Sequence, residues 1–139
     1  MKTFFKVPLK VHHGLLIVAA LAEQYGGDPV PLDVVAKSAR LSQGFLEEVA
    51  ASLRAAKLIT GKRGPRGGYV LARTPEELTV ADVIAAIEGP VTVVDCMKGG
   101  KGCLLATNCR TKSVWDAVQS QIMKTLSRVT IDDLVARGS

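Results

Sequence analysis

The stretch from Leu41 to Arg73 reads LSQGFLEEVAASLRAAKLITGKRGPRGGYVLAR, and its two halves differ in character. In the first half apolar residues recur at three- and four-residue spacing, which predicts a helix with one buried face, and Ser42 stands where an N-cap is expected. The predicted face consists of Phe45, Leu46, Val49, Leu53 and Ala56. In the second half, short runs of extended character at 58–60 and 69–71 flank a segment rich in Gly, Lys and Arg, which predicts a β-hairpin with a basic tip.

A helix followed by a basic hairpin is the pattern of a winged helix-turn-helix. Residues 31–40 supply a preceding helix, and Leu41 and Ser42 form the short turn between the two helices. In this arrangement the second helix enters the major groove of DNA, and the hairpin, or wing, reaches phosphates or the minor groove. We therefore predict a mainly α-helical fold with a small β-hairpin wing. The alternative is an α+β domain whose hairpin is a solvated surface loop.

The candidate DNA contacts lie on the second helix and on the wing. Ser42 and Gln43 occupy the helix N-terminus, where phosphate and base contacts are made. Glu47 is suited to accept a hydrogen bond from a cytosine amino group, and Arg54 is expected to face the phosphate backbone or solvent. The wing candidates are Lys62, Arg63 and Arg66. For Glu47, a solvated helix surface is an equally good interpretation.

The length of 139 residues suits one domain. Its net charge of +5 is unevenly distributed along the chain. Residues 1–73 hold 11 Lys and Arg against 5 Asp and Glu, whereas residues 74–139 hold 7 against 8. The excess positive charge lies with the predicted helix and wing. This is expected if that half of the chain meets nucleic acid and the other half meets protein.

The N-terminal segment resembles a secretory signal, because a basic start precedes the apolar run of residues 14–22, which ends in Ala-Leu-Ala. Removal of residues 1–22 would, however, delete a helix that a helix-turn-helix domain needs to bury its apolar faces. Three cysteines, an odd number, also suit a reducing compartment. The nine apolar residues are too few to span a bilayer. We therefore predict a first helix over 7–24, no membrane association and a cytoplasmic location.

After the wing, capping patterns predict short helices that begin at Thr79 and at Thr130. Between them lies a longer helix with apolar residues at near-heptad intervals: Val114, Trp115, Val118, Ile122, Leu126 and Val129. A second copy of the same helix is the simplest partner for this stripe, which gives a homodimer, because operators are usually two-fold symmetric. The alternative is that the stripe packs on its own domain. We predict a DNA-binding domain over 1–75, a short helix and sensor loop over 76–110, and a long dimerisation helix with a short C-terminal helix over 111–139.

All three cysteines of the chain, Cys96, Cys103 and Cys109, lie within fourteen residues of one glycine-rich loop. Their spacing is not that of a zinc knuckle, which has pairs of ligands two to four residues apart. Soft thiolates on a loop that folds tightly suit an iron–sulfur cluster. The alternative is that the cysteines are structural or redox-active thiols, or simply small apolar residues in a loop.

Together these motifs resemble those of the Rrf2 family of transcriptional regulators. The resemblance runs from about residue 7 to residue 136 and is most specific at 45–59, at 63–72 and in the three-cysteine loop typical of cluster-binding members. It implies a homodimeric, sequence-specific winged-helix DNA binder that senses iron–sulfur status, redox state or nitric oxide. It also implies an iron–sulfur cluster of the 2Fe–2S or 4Fe–4S type, with Cys96, Cys103 and Cys109 as ligands.

The fourth ligand is where this sequence departs from the family pattern. The third position after the last cysteine, where some members have a histidine, is Lys112. Other members take a carboxylate from the first helix of the partner subunit, but this sequence has no carboxylate before Glu23. We therefore expect His12 from the partner's first helix to be the fourth ligand, with His13 as the second choice. The alternative is that both histidines are ordinary residues of the first helix and bind no cluster.

Two other functions compete with a cluster-controlled regulator. One is a cluster-free regulator of the same family that responds to its cysteine thiols, to a metabolite or to a protein partner. The other is an adaptor whose winged helix contacts protein instead of DNA. An enzyme is not expected, because no Ser/His/Asp set, phosphate-cradling glycine motif or catalytic carboxylate pair is recognisable.

Overall fold

The computed structural model describes residues 5–90, 93 and 110–138. Within this part of the chain, three helices and a two-stranded antiparallel hairpin are followed by three further helices. The elements are α1 (Leu9–Glu23), α2 (Leu32–Ala39), α3 (Gln43–Ala55), β1 (Ile59–Lys62), β2 (Gly68–Leu71), α4 (Val80–Glu88), α5 (Lys112–Arg128) and α6 (Ile131–Gly138). This order confirms the predicted mainly α-helical fold with a β-hairpin wing.

Helix α1 is the central element of the core, and it packs against α2, α3, α4, α6 and β2. At Gly14 the approach of α4 is especially close, because a Cβ atom there would lie 2.3 Å from Ile87 Cδ1 and 3.3 Å from Val83 Cγ1. The same Cβ would lie 3.5 Å from Cγ1 of Val49 on α3. Gly14 therefore marks the point where α1, α3 and α4 meet, and the predicted first helix is confirmed as a core helix.

The wing is anchored to the segment before α2. Val30 and Tyr69 exchange two backbone hydrogen bonds, each of 2.9 Å. The next residue back, Gly68, has φ +156°, and a Cβ there would lie 2.5 Å from the carbonyl carbon and oxygen of Val30. Only glycine allows this close approach of two backbones. The strands are also longer than predicted, so that Lys62 ends β1 instead of belonging to the turn.

The two predicted capping boxes are present at the start of α4 and of α6. Thr79 Oγ1 accepts from the backbone N–H of Asp82, and Asp82 Oδ2 accepts from the backbone N–H of Thr79. Thr130 and Asp133 repeat the same pair of bonds at 3.0 and 3.1 Å. Because its hydrogen bonds from the Thr130 backbone and side chain favour the carboxylate form, the pKa of Asp133 is lowered from its ordinary value.

The chain returns to the core after α5. The backbone N–H of Ile131 donates to the Leu78 carbonyl at 2.8 Å, and the N–H of Val80 donates to the Val129 carbonyl at 2.9 Å. These bonds tie the start of α6 to the start of α4, and the side chain of Ile131 is fully buried. The last helix therefore completes the core around α1.

The predicted buried face of α3 is wrong at two positions. Leu46, Val49, Ala50 and Leu53 form the buried face, whereas Phe45 is 61 % exposed and Ala56, which follows the helix as its C-cap, is also exposed. Successive residues of a helix are rotated by about 100°, so Phe45 projects roughly a quarter of a turn away from the centre of this face. The apolar stripe predicted for α3 was therefore wider than the face of the helix that the core covers.

Candidate nucleic-acid interface and cysteine region

The helix-turn-helix is closed by a tight turn between α2 and α3. Arg40 adopts the left-handed backbone conformation with φ +57°, and the N–H of Leu41 then donates to the Ala36 carbonyl at 2.8 Å. Helix α3, which corresponds to the predicted recognition helix, begins two residues later at Gln43. Its inner face is locked into the core, so its outer face is presented in a fixed orientation.

The predicted contact residues of α3 are all exposed. Ser42 is the N-cap residue by its backbone conformation, although its side chain makes no capping hydrogen bond. In the first turn, Gln43 Nε2 donates a hydrogen bond of 3.3 Å to Glu47 Oε1. Arg54 lies in the last turn, roughly 18 Å along the axis from Ser42 at 1.5 Å per residue. Ser42, Gln43 and Glu47 are thus brought together at one end of the helix, and Arg54 is separate.

The three cations of the wing project from a hairpin that backbone hydrogen bonds anchor to Val30. Lys62 is the last residue of β1, and Arg63 and Arg66 lie in the turn that leads to β2. All three are exposed, and none forms an ion pair with another residue of the described part of the chain. Free cations on an anchored hairpin are suited to phosphate contacts, which position a protein on DNA without reading its sequence.

Phe45 is the feature of this interface that the sequence prediction missed. It is the third residue of α3, close to Gln43 and Glu47, and its ring is mostly in solvent. The available signal was the set Leu46, Val49, Ala50 and Leu53, which already fills one face at the spacing of i, i+3, i+4 and i+7. Once that set is recognised, Phe45 is left outside the core.

The predicted cluster ligands Cys96, Cys103 and Cys109 lie outside the described residues, and so does most of their loop. The ends of the loop are placed by α4, which finishes at Glu88, and by α5, which starts at Lys112. Between them, the N–H of Val93 donates to Gln119 Oε1 at 3.3 Å. Among residues 5–90, 93 and 110–138, no group of three or more His, Cys, Asp or Glu side chains is arranged to hold a metal ion.

The two candidate histidines of α1 have different environments. His12 is exposed, whereas His13 is 5 % exposed and its buried Nε2 atom has no hydrogen-bond partner. Lys112, which stands where some family members have a histidine, pairs with Asp116 one helical turn away at 3.1 Å. His12 is therefore the histidine that is accessible from solvent.

The apolar stripe of α5 divides into two parts. Leu126 and Val129, near the C-terminal end, pack against the core. Val114 near the N-terminal end is 54 % exposed, and none of the residues of α5 is buried. The part of the stripe nearest the cysteine loop is thus left without a complete covering in one chain.

In residues 5–90, 93 and 110–138, no helix combines the length and apolar character needed to cross a lipid bilayer.

A comparison with protein families matches residues 8–137 to the model of the Rrf2 family, described as iron-dependent transcriptional regulators. The chain belongs to the Rrf2 family. Among curated relatives, the transcriptional regulator CymR of Bacillus subtilis is 30% identical over 131 residues, which are 94% of this chain and 90% of CymR. The regulator IscR of Pectobacterium carotovorum is 33% identical over 120 residues, 86% of this chain and 71% of that protein.

Solved Rrf2 structures agree with the fold. The structure of CymR, the global cysteine regulator of B. subtilis, matches with a TM-score of 0.80 over 96% of this chain and 98% of that one. The structure of T. potens IscR, 34% identical, also matches with a TM-score of 0.80 over 97% of this chain and 89% of that chain. The fold is therefore a winged helix of the Rrf2 type, and the relatives are transcriptional regulators and not enzymes.

Proposed function

We propose that this Rrf2 regulator is a cytoplasmic homodimer whose binding to operator DNA is controlled by an iron–sulfur cluster on the loop between α4 and α5. The observation that carries the proposal is the grouping of all three cysteines within fourteen residues of that loop. The description of the matching family as iron-dependent supports a metal-containing signal. Similarity to IscR proteins supports the same choice.

The ligand set follows from the chemistry of the donors. Cys96, Cys103 and Cys109 supply three thiolates, the usual ligands of such clusters. We assign the fourth position to His12 of the partner subunit, because its ring is exposed on α1. His13 fits less well, since its ring is buried and would have to leave the core. A cluster supplies a site whose oxidation, loss or nitrosylation changes the bonding of these ligands.

The described residues offer a route from the loop to the recognition helix. The loop begins after α4, and α4 packs on α1 through Ile87 and Val83 at Gly14. The same point of α1 faces Val49 of α3. A change in the position of α4 therefore acts on α1, against which α3 packs, and on α3 directly, because α4 also contacts α3. Packed helices shift as units because cores have little free volume.

The dimer is proposed from the surface of α5. Its apolar stripe is partly exposed, and a second copy of the same helix is the partner that two-fold symmetry provides. Pairing of two α5 helices would set the two copies of α3 on half-sites about 34 Å apart, one turn of DNA. Because both half-sites must be met at once, a small rearrangement of the dimer changes affinity for the whole operator.

The proposal is tested by anaerobic purification of the full-length protein, followed by a visible absorption spectrum and by iron and sulfide counts per chain. We expect a coloured protein with stoichiometric iron and sulfide, and the spectrum then identifies the cluster type. Cys103→Ala should abolish the colour without unfolding the protein, whereas Thr107→Ala in the same loop is the matched control and should keep it. Full colour in the Cys103→Ala protein would remove this ligand from the set.

A cluster-free regulator is the second candidate, and the similarity to CymR, the global cysteine regulator of B. subtilis, favours it. In this case the three cysteines act as thiols, or the signal is a metabolite or a protein. The same purification distinguishes the two candidates. A colourless protein that binds DNA tightly, and whose affinity changes on thiol oxidation, would establish the second candidate and leave the winged-helix function intact.

A further inference from the structure

Phe45 is a large apolar side chain that α3 leaves in solvent. Its exposed fraction is 61 %, although the next residue, Leu46, is fully buried. An aromatic ring in water forgoes the favourable free energy of burial. The ring lies in the first turn of α3, the same turn that carries Gln43.

The position of Phe45 on α3 defines what it faces. With a rotation of about 100° per residue, Phe45 and Glu47 project from opposite flanks of the helix, each roughly 100° from the centre of the buried face. The outermost line between the flanks carries Gly44 and Ala51, with Glu48 beside it, and all three are exposed. Two such small residues let a helix backbone approach the floor of the major groove. Side chains on its two flanks then lie against base edges on either side of the helix axis.

The two flanks of α3 differ in chemistry. On one flank, the hydrogen bond of 3.3 Å from Gln43 to Glu47 holds a polar pair, which suits the donors and acceptors of base edges. On the other flank, Phe45 offers only a hydrocarbon ring. The apolar group that an unmodified base displays in the major groove is the C5 methyl group of thymine.

We propose that Phe45 is a specificity-determining residue whose ring packs against the C5 methyl group of a thymine in each operator half-site. The inference rests on the DNA-binding role of α3 stated in the proposed function. A thymine at this position is preferred over cytosine, because cytosine presents no methyl group there and leaves the ring without its apolar contact. The Gln43–Glu47 pair reads polar groups on the other side of the groove.

The test uses duplex DNA that the full-length protein has selected from a random library. Each thymine of the selected consensus is replaced singly by deoxyuridine, which removes the C5 methyl group and keeps the base pairing. For the wild-type protein we expect that, in each half-site, the replacement of one particular thymine weakens binding about fourfold, the loss that corresponds to one buried methyl group. Phe45→Ala should weaken binding to the selected DNA at least about fourfold and should bind the thymine and deoxyuridine duplexes equally.

The control variant is Tyr25→Ala, which removes an aromatic ring of similar exposure, 51 %, outside α3. It should keep both the affinity and the sensitivity to deoxyuridine. Three results would overturn the proposal: no thymine that responds to replacement, a response that persists in Phe45→Ala, or equal weakening of selected and random DNA by Phe45→Ala. If the protein enriches no sequence at all, the proposed regulator function fails together with the role of Phe45.

Discussion

Gly14→Ala is the substitution that tests the packing of α1 against α4. The added Cβ would lie 2.3 Å from Ile87 Cδ1, closer than real Cβ contacts, and 3.3 Å from Val83 Cγ1. Overpacking of a core costs about 1–3 kcal/mol. We take about 2 kcal/mol, because Ile87 is only partly buried and the end of its side chain is able to rotate.

The steric cost is opposed by helix propensity. Alanine is favoured over glycine within a helix by about 1 kcal/mol, so we expect Gly14→Ala to destabilise the protein by a net ~1 kcal/mol. Gly44→Ala is the matched control, because Gly44 is a helical glycine whose added Cβ would meet only Ser42 Oγ, at 3.6 Å. This control should be stabilised by about 0.5–1 kcal/mol.

A double-mutant cycle isolates the contact itself. Ile87→Val removes the Cδ1 atom and should cost about 0.5–1 kcal/mol alone, but it should be neutral or stabilising in the Gly14→Ala background. Unfolding in urea is followed by circular dichroism at one protein concentration, because dimerisation makes the apparent stability concentration-dependent. Close packing at Gly14 is excluded if Gly14→Ala stabilises the protein as much as Gly44→Ala does, or if the cycle shows no coupling between positions 14 and 87.

Two further predictions concern the wing and the last helix. Arg66→Ala should weaken binding to selected and random DNA alike and should lower the slope of log K against log salt by about 1. Arg73→Ala is the control, because the Arg73 guanidinium pairs with Asp82 at 3.8 Å. Unchanged affinity of the Arg66→Ala protein would exclude Arg66 as a DNA contact. The lowered pKa of Asp133 stabilises the folded protein above pH 3.8, and this stability is lost as the pH falls through the folded pKa. In Asp133→Asn, the free energy of unfolding should therefore fall less steeply with pH below pH 3.8. An unchanged slope of the free energy against pH would contradict this prediction.

Much of the fold follows from local features of the sequence. The boxes at Thr79 and Thr130 predict helix starts because a hydroxyl and a carboxylate three residues apart satisfy each other's backbone donors. Glycines and a proline at 64–68 predict the turn of the wing because they interrupt the extended pattern between the two strands. These signals are local, so they do not depend on which element covers another. The proposed chemistry of the three-cysteine loop rests on its residue types alone.

The tertiary structure decided which side chains of a given helix face are covered. Periodicity placed Phe45 in the core, but α3 needs only Leu46, Val49, Ala50 and Leu53 for its contacts, so the ring remains outside. The adjacent histidines of α1 likewise differ in burial, because a rotation of about 100° carries one ring inward and the other out. The sequence by itself determined the elements, the basic wing and the thiols, since these depend on neighbouring residues. Which faces are covered depends on contacts between residues distant in the chain, as between Gly14 and Ile87, and only the fold decides those.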